Sequence, residues 1–137
     1  MSELTQAMSV GQLQNLLQLA PFHRWLDLRV VALKSQELIL ELPWRDEIVS
    51  NPAIGSVHGG VLSALIDLTG LYAINVLGGS ARATADLRVD FHRPAVSGPL
   101  RAMGRVVKLG KQLSVAETHI EDIEGRLLAS GRGAYVG

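Results

Sequence analysis

The chain has 137 residues, of which 47% are hydrophobic, and its 13 basic and 13 acidic side chains give a formal net charge of zero. This length fits one domain, and the balanced charge argues against non-specific electrostatic binding to nucleic acid. Because cysteine is absent, disulfide scaffolds, thiolate metal sites and a cysteine nucleophile are excluded.

The first part of the chain predicts a helix and two strands, followed by a long loop. Leucines at helical spacing predict an amphipathic helix over 9–20, which Pro21 should end. Alternating apolar residues predict strands over 28–33 and 37–44, joined by a short polar turn. Turn residues recur over 45–57, so this segment is expected to be a loop.

A nearly continuous apolar run predicts a long helix over 58–77, closed by two glycines. Asp67 and Asn75 interrupt the run, and a carboxylate in mid-bilayer is costly, so we expect a buried core helix and no membrane partner. The polar start of the chain does not resemble a secretory signal, which predicts a cytoplasmic location.

The last third of the chain predicts four strands joined by short turns, which favours an antiparallel sheet. They span 84–92, 101–109, 113–122 and 127–136. Strict alternation places four polar residues of the first strand on one face: Thr84, Asp86, Arg88 and Asp90. We expect a single α+β domain over 1–137, with a helical segment at 1–24 and a core at 25–137 in which the sheet curls around the long helix.

Asp67 is the most informative residue, because a carboxylate in the middle of an apolar helix is costly unless it is hydrogen-bonded or used. One interpretation is structural: Asp67 pairs with an arginine such as Arg88, or lies exposed at the helix edge. The other is functional: Asp67 is a catalytic carboxylate whose basicity is raised by an apolar pocket. The residues alone leave both open.

His58, Gly59 and Gly60 open the same helix, where free N–H groups and the helix dipole favour negative charge. This pattern indicates an oxyanion site, although two glycines would equally serve a tight turn. Asn51, just before Pro52, is typical of a residue that bonds its own turn. The histidines lack metal-ligand spacing, so neither a metal nor a cofactor is expected.

Asn51 and the run from Gly55 to Asp67 (GSVHGGVLSALID) closely resemble the signature of the hotdog-fold acyl-CoA thioesterases, in the PaaI-like (phenylacetic acid degradation) group. Later stretches over 84–95, 106–117 and 122–129 resemble further strands of that family, in order and at suitable spacing. The resemblance implies a single hotdog domain and a homodimer whose active sites combine residues of both subunits. It also implies that dimers pair into a dimer of dimers.

The resemblance assigns a role to each matching residue. Asp67 falls on the catalytic carboxylate, which activates a water or attacks the thioester, and Gly59 on the residue whose N–H polarises the carbonyl. Asn51 matches a side chain that positions water or the thioester from across the interface. His58 matches a residue that orients the oxyanion loop, and Thr84 a hydroxyl that helps to hold the attacking water.

The substrate that the resemblance implies is an acyl-CoA, whose phosphates need basic groups. The candidate substrate-binding residues are Gly60, Arg93, Lys108, Gly110 and Lys111, although a lysine at a hairpin tip is also consistent with simple solvation. Two other interpretations are a non-catalytic acyl-CoA binding module and a hotdog dehydratase or hydratase. The latter usually carries a histidine with an acidic partner, in a spacing that this sequence lacks around Asp67.

Overall fold

The structure is a computed structural model that describes residues 8–137, so the first seven residues of the predicted N-terminal segment lie outside the described part. The α-helices of this part are α1 (Val10–Leu17), α2 (Pro21–Leu26) and α3 (Gly59–Val76). Its strands are β1 (Arg29–Leu33), β2 (Leu38–Leu42), β3 (Val49–Asn51), β4 (Ser56–Val57), β5 (Ala83–Phe91), β6 (Leu100–Lys108), β7 (Leu113–Glu121) and β8 (Leu127–Val136).

Six strands form one antiparallel sheet in the order β1-β2-β6-β7-β8-β5, and β3 and β4 form a small separate hairpin. β5 follows α3 in the chain but pairs with β8, so β5 is an edge strand. α3 packs against β2 and against β5 to β8, with the sheet wrapped around it. The expected α+β hotdog architecture is confirmed.

The core forms where α3 meets the concave side of the sheet. Leu65, Ile66, Ala73 and Ile74 of α3 are at most 1% exposed and pack in its two clusters. α3 is long and apolar enough to cross a bilayer by length and composition. Its buried side chains identify it as the core helix of this domain. Asp67 is half-buried.

Two details of the first half differ from the sequence prediction. The first helix ends at Leu17, and Pro21 begins α2 instead of only ending α1. Proline suits the first position of a helix because its missing N–H would have no helical partner there. The predicted loop also contains a 3-10 turn at Asp46–Ile48 and the β3–β4 hairpin.

A bulge in β5 corrects the predicted alternation of that strand. Thr84 pairs with Tyr135 and Asp86 with Ala134, so Ala85 is an extra residue that has no counterpart in β8. An inserted residue reverses the face of the side chains before it. Thr84 therefore points to the α3 side of the sheet, opposite to Asp86, and the prediction of a common face is wrong for Thr84.

Candidate active site

The first turn of α3 leaves one backbone N–H free. The His58 ring caps the helix: its Nδ1 accepts the N–H of Gly60 at 2.9 Å. The His58 carbonyl oxygen accepts the N–H groups of Val61, at 2.9 Å, and of Leu62, at 3.3 Å. Within residues 8–137, no hydrogen bond donated by the N–H of Gly59 is found. This N–H, at the positive end of the helix dipole, can donate to a ligand oxygen.

Gly59 lines a small, largely apolar pocket. A Cβ added at Gly59 would lie 3.3 Å from the Phe91 ring, so a side chain here would press on β5. The pocket has a volume of about 310 Å³, and its lining includes Ile54, Leu62, Phe91 and Arg93. Arg93, a predicted CoA-binding residue, therefore shares a pocket with the predicted oxyanion residue.

Asp67 is held by the edge strand. The Thr84 hydroxyl donates a hydrogen bond of 2.6 Å to Asp67 Oδ1. Arg88 was considered as an ion-pair partner for Asp67. Its Nε instead lies 3.5 Å from Oδ2 of Asp90. The structure thus brings Asp67 and Thr84 together, and the bulge at Ala85 is what makes their contact possible.

Gly59 and Asp67 occupy separate places on α3. At a rise of 1.5 Å per residue, the eight steps between them amount to about 12 Å along the helix axis. Within one chain, an oxygen bound at the Gly59 N–H is therefore too far from the Asp67 carboxylate for direct attack. The chain carries two partial sites: Gly59 with its surroundings, and Asp67 with Thr84.

Asn51 lies in the β3–β4 hairpin, which precedes Gly59 in the chain. Its Oδ1 accepts the N–H of Ala53 at 3.1 Å, and its carbonyl oxygen accepts the N–H of Gly55 at 2.8 Å. This is the self-bonded turn that the sequence suggested. The hairpin leads directly into His58, and no hydrogen bond between Asn51 and Asp67 is found in the described chain.

Of the other predicted substrate-binding residues, Gly60 adjoins Gly59 in the first turn of α3, whereas the residues of the β6–β7 turn lie elsewhere. The N–H of Gly60 is already bonded to His58. Lys108, Gly110 and Lys111 are exposed around the β6–β7 turn, whose Leu109 lies near the glycines that follow α3. They are therefore at the far end of α3, about 27 Å from its start.

Sequence reasoning missed Tyr135 on β8. Its side chain is fully buried, and its hydroxyl donates a 2.9 Å hydrogen bond to the main-chain oxygen of Asp67. Burial, and secondly the Asp67 carboxylate, raise the pKa of Tyr135, so its phenol stays protonated and remains a donor. A tyrosine near the end of a strand gives no signal of this contact, which depends on β8 lying under the middle of α3.

A family model described as the thioesterase superfamily matches residues 54–129. The chain belongs to the thioesterase superfamily. The match includes His58, Gly59, Asp67 and Thr84, and it confirms the membership expected from the sequence. Like its superfamily, the chain is a hydrolase.

Proteins with similar sequences or structures agree with this membership. A solved structure from the thioesterase superfamily is 38% identical, with a TM-score of 0.89 over 93% of this chain and 97% of the other. The Escherichia coli PaaI protein, from the phenylacetic acid degradation operon, is 25% identical, with a TM-score of 0.78 over 90% and 89% of the two chains. A Saccharolobus solfataricus protein that carries the name "putative esterase" is 30% identical over 82% of this chain and 79% of its own.

Proposed function

We propose that this hydrolase cleaves acyl-CoA thioesters, with Asp67 as general base or nucleophile and the Gly59 N–H as oxyanion donor. The observation that carries the proposal is the pair of partial sites on α3. One offers a free N–H at a helix start, and the other a half-buried carboxylate with an oriented hydroxyl. Acyl transfer needs both: a group that supplies the attacking oxygen, and donors for the charge that develops on the carbonyl oxygen.

A second copy of the chain would bring the two parts together. Both lie against β5, whose outer edge has no neighbouring strand within residues 8–137. A two-fold axis near this edge would place Asp67 and Thr84 of one subunit opposite Asn51, His58 and Gly59 of the other, giving two equivalent sites per homodimer. We extend the proposal to a dimer of dimers, on the resemblance to PaaI-like proteins.

The chemistry follows from these positions. The thioester carbonyl accepts the Gly59 N–H, and Asp67 either removes a proton from water or attacks the carbonyl carbon itself. Charge develops on the carbonyl oxygen, where the N–H and the helix dipole stabilise it more strongly than in the ground state. Collapse of the tetrahedral species breaks the carbon–sulfur bond and releases CoA thiolate. In the nucleophilic route, water then hydrolyses the acyl–Asp67 anhydride.

The CoA moiety would leave the site past Arg93, which lines the Gly59 pocket. The turn with Lys108, Gly110 and Lys111 lies too far away in the same chain. In the assembly, the same turn of another subunit would bring Lys108 and Lys111 to the CoA phosphates, where their ammonium groups would form charge-assisted hydrogen bonds. The proposed location is cytoplasmic, where CoA esters would be met.

The test is thiol release from acyl-CoAs, followed with a chromogenic disulfide. The panel is phenylacetyl-, hydroxybenzoyl-, hexanoyl- and lauroyl-CoA, and the chain adds no background because it has no cysteine. Asp67→Asn should lower kcat by about 10²- to 10⁴-fold, since the variant keeps the shape and loses the base. The preferred acyl group of the wild-type protein defines the acyl pocket.

The matched control is Asp27→Asn, because Asp27 is an exposed carboxylate in a left-handed conformation (φ 56°) that asparagine also tolerates. This control should retain wild-type turnover. Wild-type turnover in Asp67→Asn would contradict the catalytic role of Asp67. Binding of every acyl-CoA without thiol release would instead favour a non-catalytic binding module, and thioester-retaining products would favour a dehydratase or hydratase.

A further inference from the structure

Tyr135 occupies a socket that two glycines leave open. A Cβ added at Gly70 of α3, or at Gly133 of β8, would meet the Tyr135 hydroxyl. The phenol thus fills the space between the helix and the sheet where both backbones lack a side chain. Tyr135 is fully buried, and its hydroxyl is directed to the main-chain oxygen of Asp67 at 2.9 Å.

The two contacts that hold Asp67 come from one cross-strand pair. Thr84 and Tyr135 are directly opposite each other in β5 and β8, on the side of the sheet that faces α3. Thr84 bonds the carboxylate of Asp67, and Tyr135 bonds its carbonyl oxygen. Asp67 is therefore fixed at both its side chain and its backbone relative to the same point of the sheet.

We infer that Tyr135 is a positioning residue for catalysis: its hydroxyl sets the height of Asp67 above β8 and so the position of the carboxylate. This inference rests on the proposed function of Asp67. It requires no contact between Tyr135 and the substrate. A displacement of a catalytic group by about 1 Å can cost up to about 10²-fold in rate, so one buried hydroxyl can matter to turnover without affecting binding.

The test is Tyr135→Phe, which removes the hydroxyl and keeps the ring. We expect kcat to fall about tenfold while KM changes less than twofold, because the lost contact acts on Asp67. In an Asp67→Asn background the same substitution should have no further effect on the residual rate. The matched control is Thr69→Val, which removes another fully buried hydroxyl that donates to an α3 carbonyl, that of Leu65 at 2.6 Å.

The outcomes separate the inference from the proposed function. If Asp67→Asn abolishes turnover but Tyr135→Phe keeps wild-type kcat, the inference alone is wrong. An equal loss in Thr69→Val would also overturn it, because general loosening of α3 would then explain the effect. If Asp67→Asn remains fully active, the proposed function fails and the inference with it.

Should Tyr135→Phe not fold, Gly70→Ala displaces the same hydroxyl. A reduced kcat at unchanged KM in Gly70→Ala supports the inference, and a wild-type kcat contradicts it.

Discussion

Asp67 and Thr84 form a hydrogen-bonded pair that fixes one oxygen of the carboxylate. Thr84 donates to Oδ1 at 2.6 Å, and within residues 8–137 no hydrogen bond from a side chain to Oδ2 is found. A carboxylate fixed through one oxygen can present the other to a water or to a carbonyl carbon in one orientation. In the proposed mechanism, Thr84 therefore contributes by aiming Asp67.

Substitution of Thr84 tests this role. Thr84→Val keeps the shape and removes the donor, so kcat should fall about tenfold, in line with the loss of one hydrogen bond to a charged group. Thr84→Ser keeps the hydroxyl and should stay within about threefold of wild type. The measurement is the steady-state kcat of the two variants on the preferred acyl-CoA. Equal kcat values for Thr84→Val and Thr84→Ser would contradict a role of the hydroxyl in orienting Asp67.

At the scale of the elements, periodicity predicted α3 and the later strands, because each has a long, regular apolar pattern. Strict alternation then placed Thr84 with Asp86, Arg88 and Asp90, whereas the bulge turns it towards α3. Ala85 carries no glycine or proline signal, so pairing with β8 alone reveals this bulge. The roles of Gly59 and Asp67 came from the family resemblance, whereas the hydrogen bond between Thr84 and Asp67 needed the three-dimensional structure.

The β7–β8 turn offers a prediction about pH. Burial raises the pKa of Asp122, but hydrogen bonds from the Arg126 N–H, the Arg126 guanidinium and the Glu124 N–H outweigh burial and hold that pKa below its usual range. A lowered folded pKa stabilises the fold at neutral pH, and this contribution is lost as the pH falls through the folded value, below about 4.

Asp122→Asn should therefore have a lower Tm than wild type at pH 7, and the difference should shrink as the pH falls from about 4 towards 2.5. Thermal melts across this range measure it. Asp86→Asn, at an exposed position on β5, serves as a control that should leave the Tm difference near zero at all pH values. A Tm difference between Asp122→Asn and wild type that stays constant down to pH 2.5 would contradict a lowered pKa of Asp122.

At the scale of the whole molecule, the proposed homodimer predicts complementation between inactive variants. In the proposed dimer, each site takes Asp67 from one subunit and Asn51 from the other. Asp67→Asn and Asn51→Ala therefore remove residues that two different subunits contribute to a site. A mixed dimer then has one site with both changes and one with neither. With random exchange, half of the dimers are mixed, so about one quarter of wild-type activity should return.

The experiment is subunit exchange followed by the thiol assay, with the formation of mixed dimers verified by native mass spectrometry. The control replaces Asn51→Ala by the double variant Asn51→Ala/Asp67→Asn, which provides no intact site and should give no recovery. Full exchange without recovery in the first mixture would show that Asn51 and Asp67 act within one chain.

In the proposed mechanism, the position of Thr84 on an edge strand makes catalysis depend on the local stability of β5. β5 has a strand neighbour, β8, on one side, and peripheral segments with few partners open at lower free energy than the core. Fraying of β5 would release Asp67 from Thr84 while α3 and the central strands stay folded. Heat should then inactivate the enzyme reversibly before it melts. A second subunit docked along β5 would raise the cost of fraying, so assembly would protect catalysis from heat as well as complete the site.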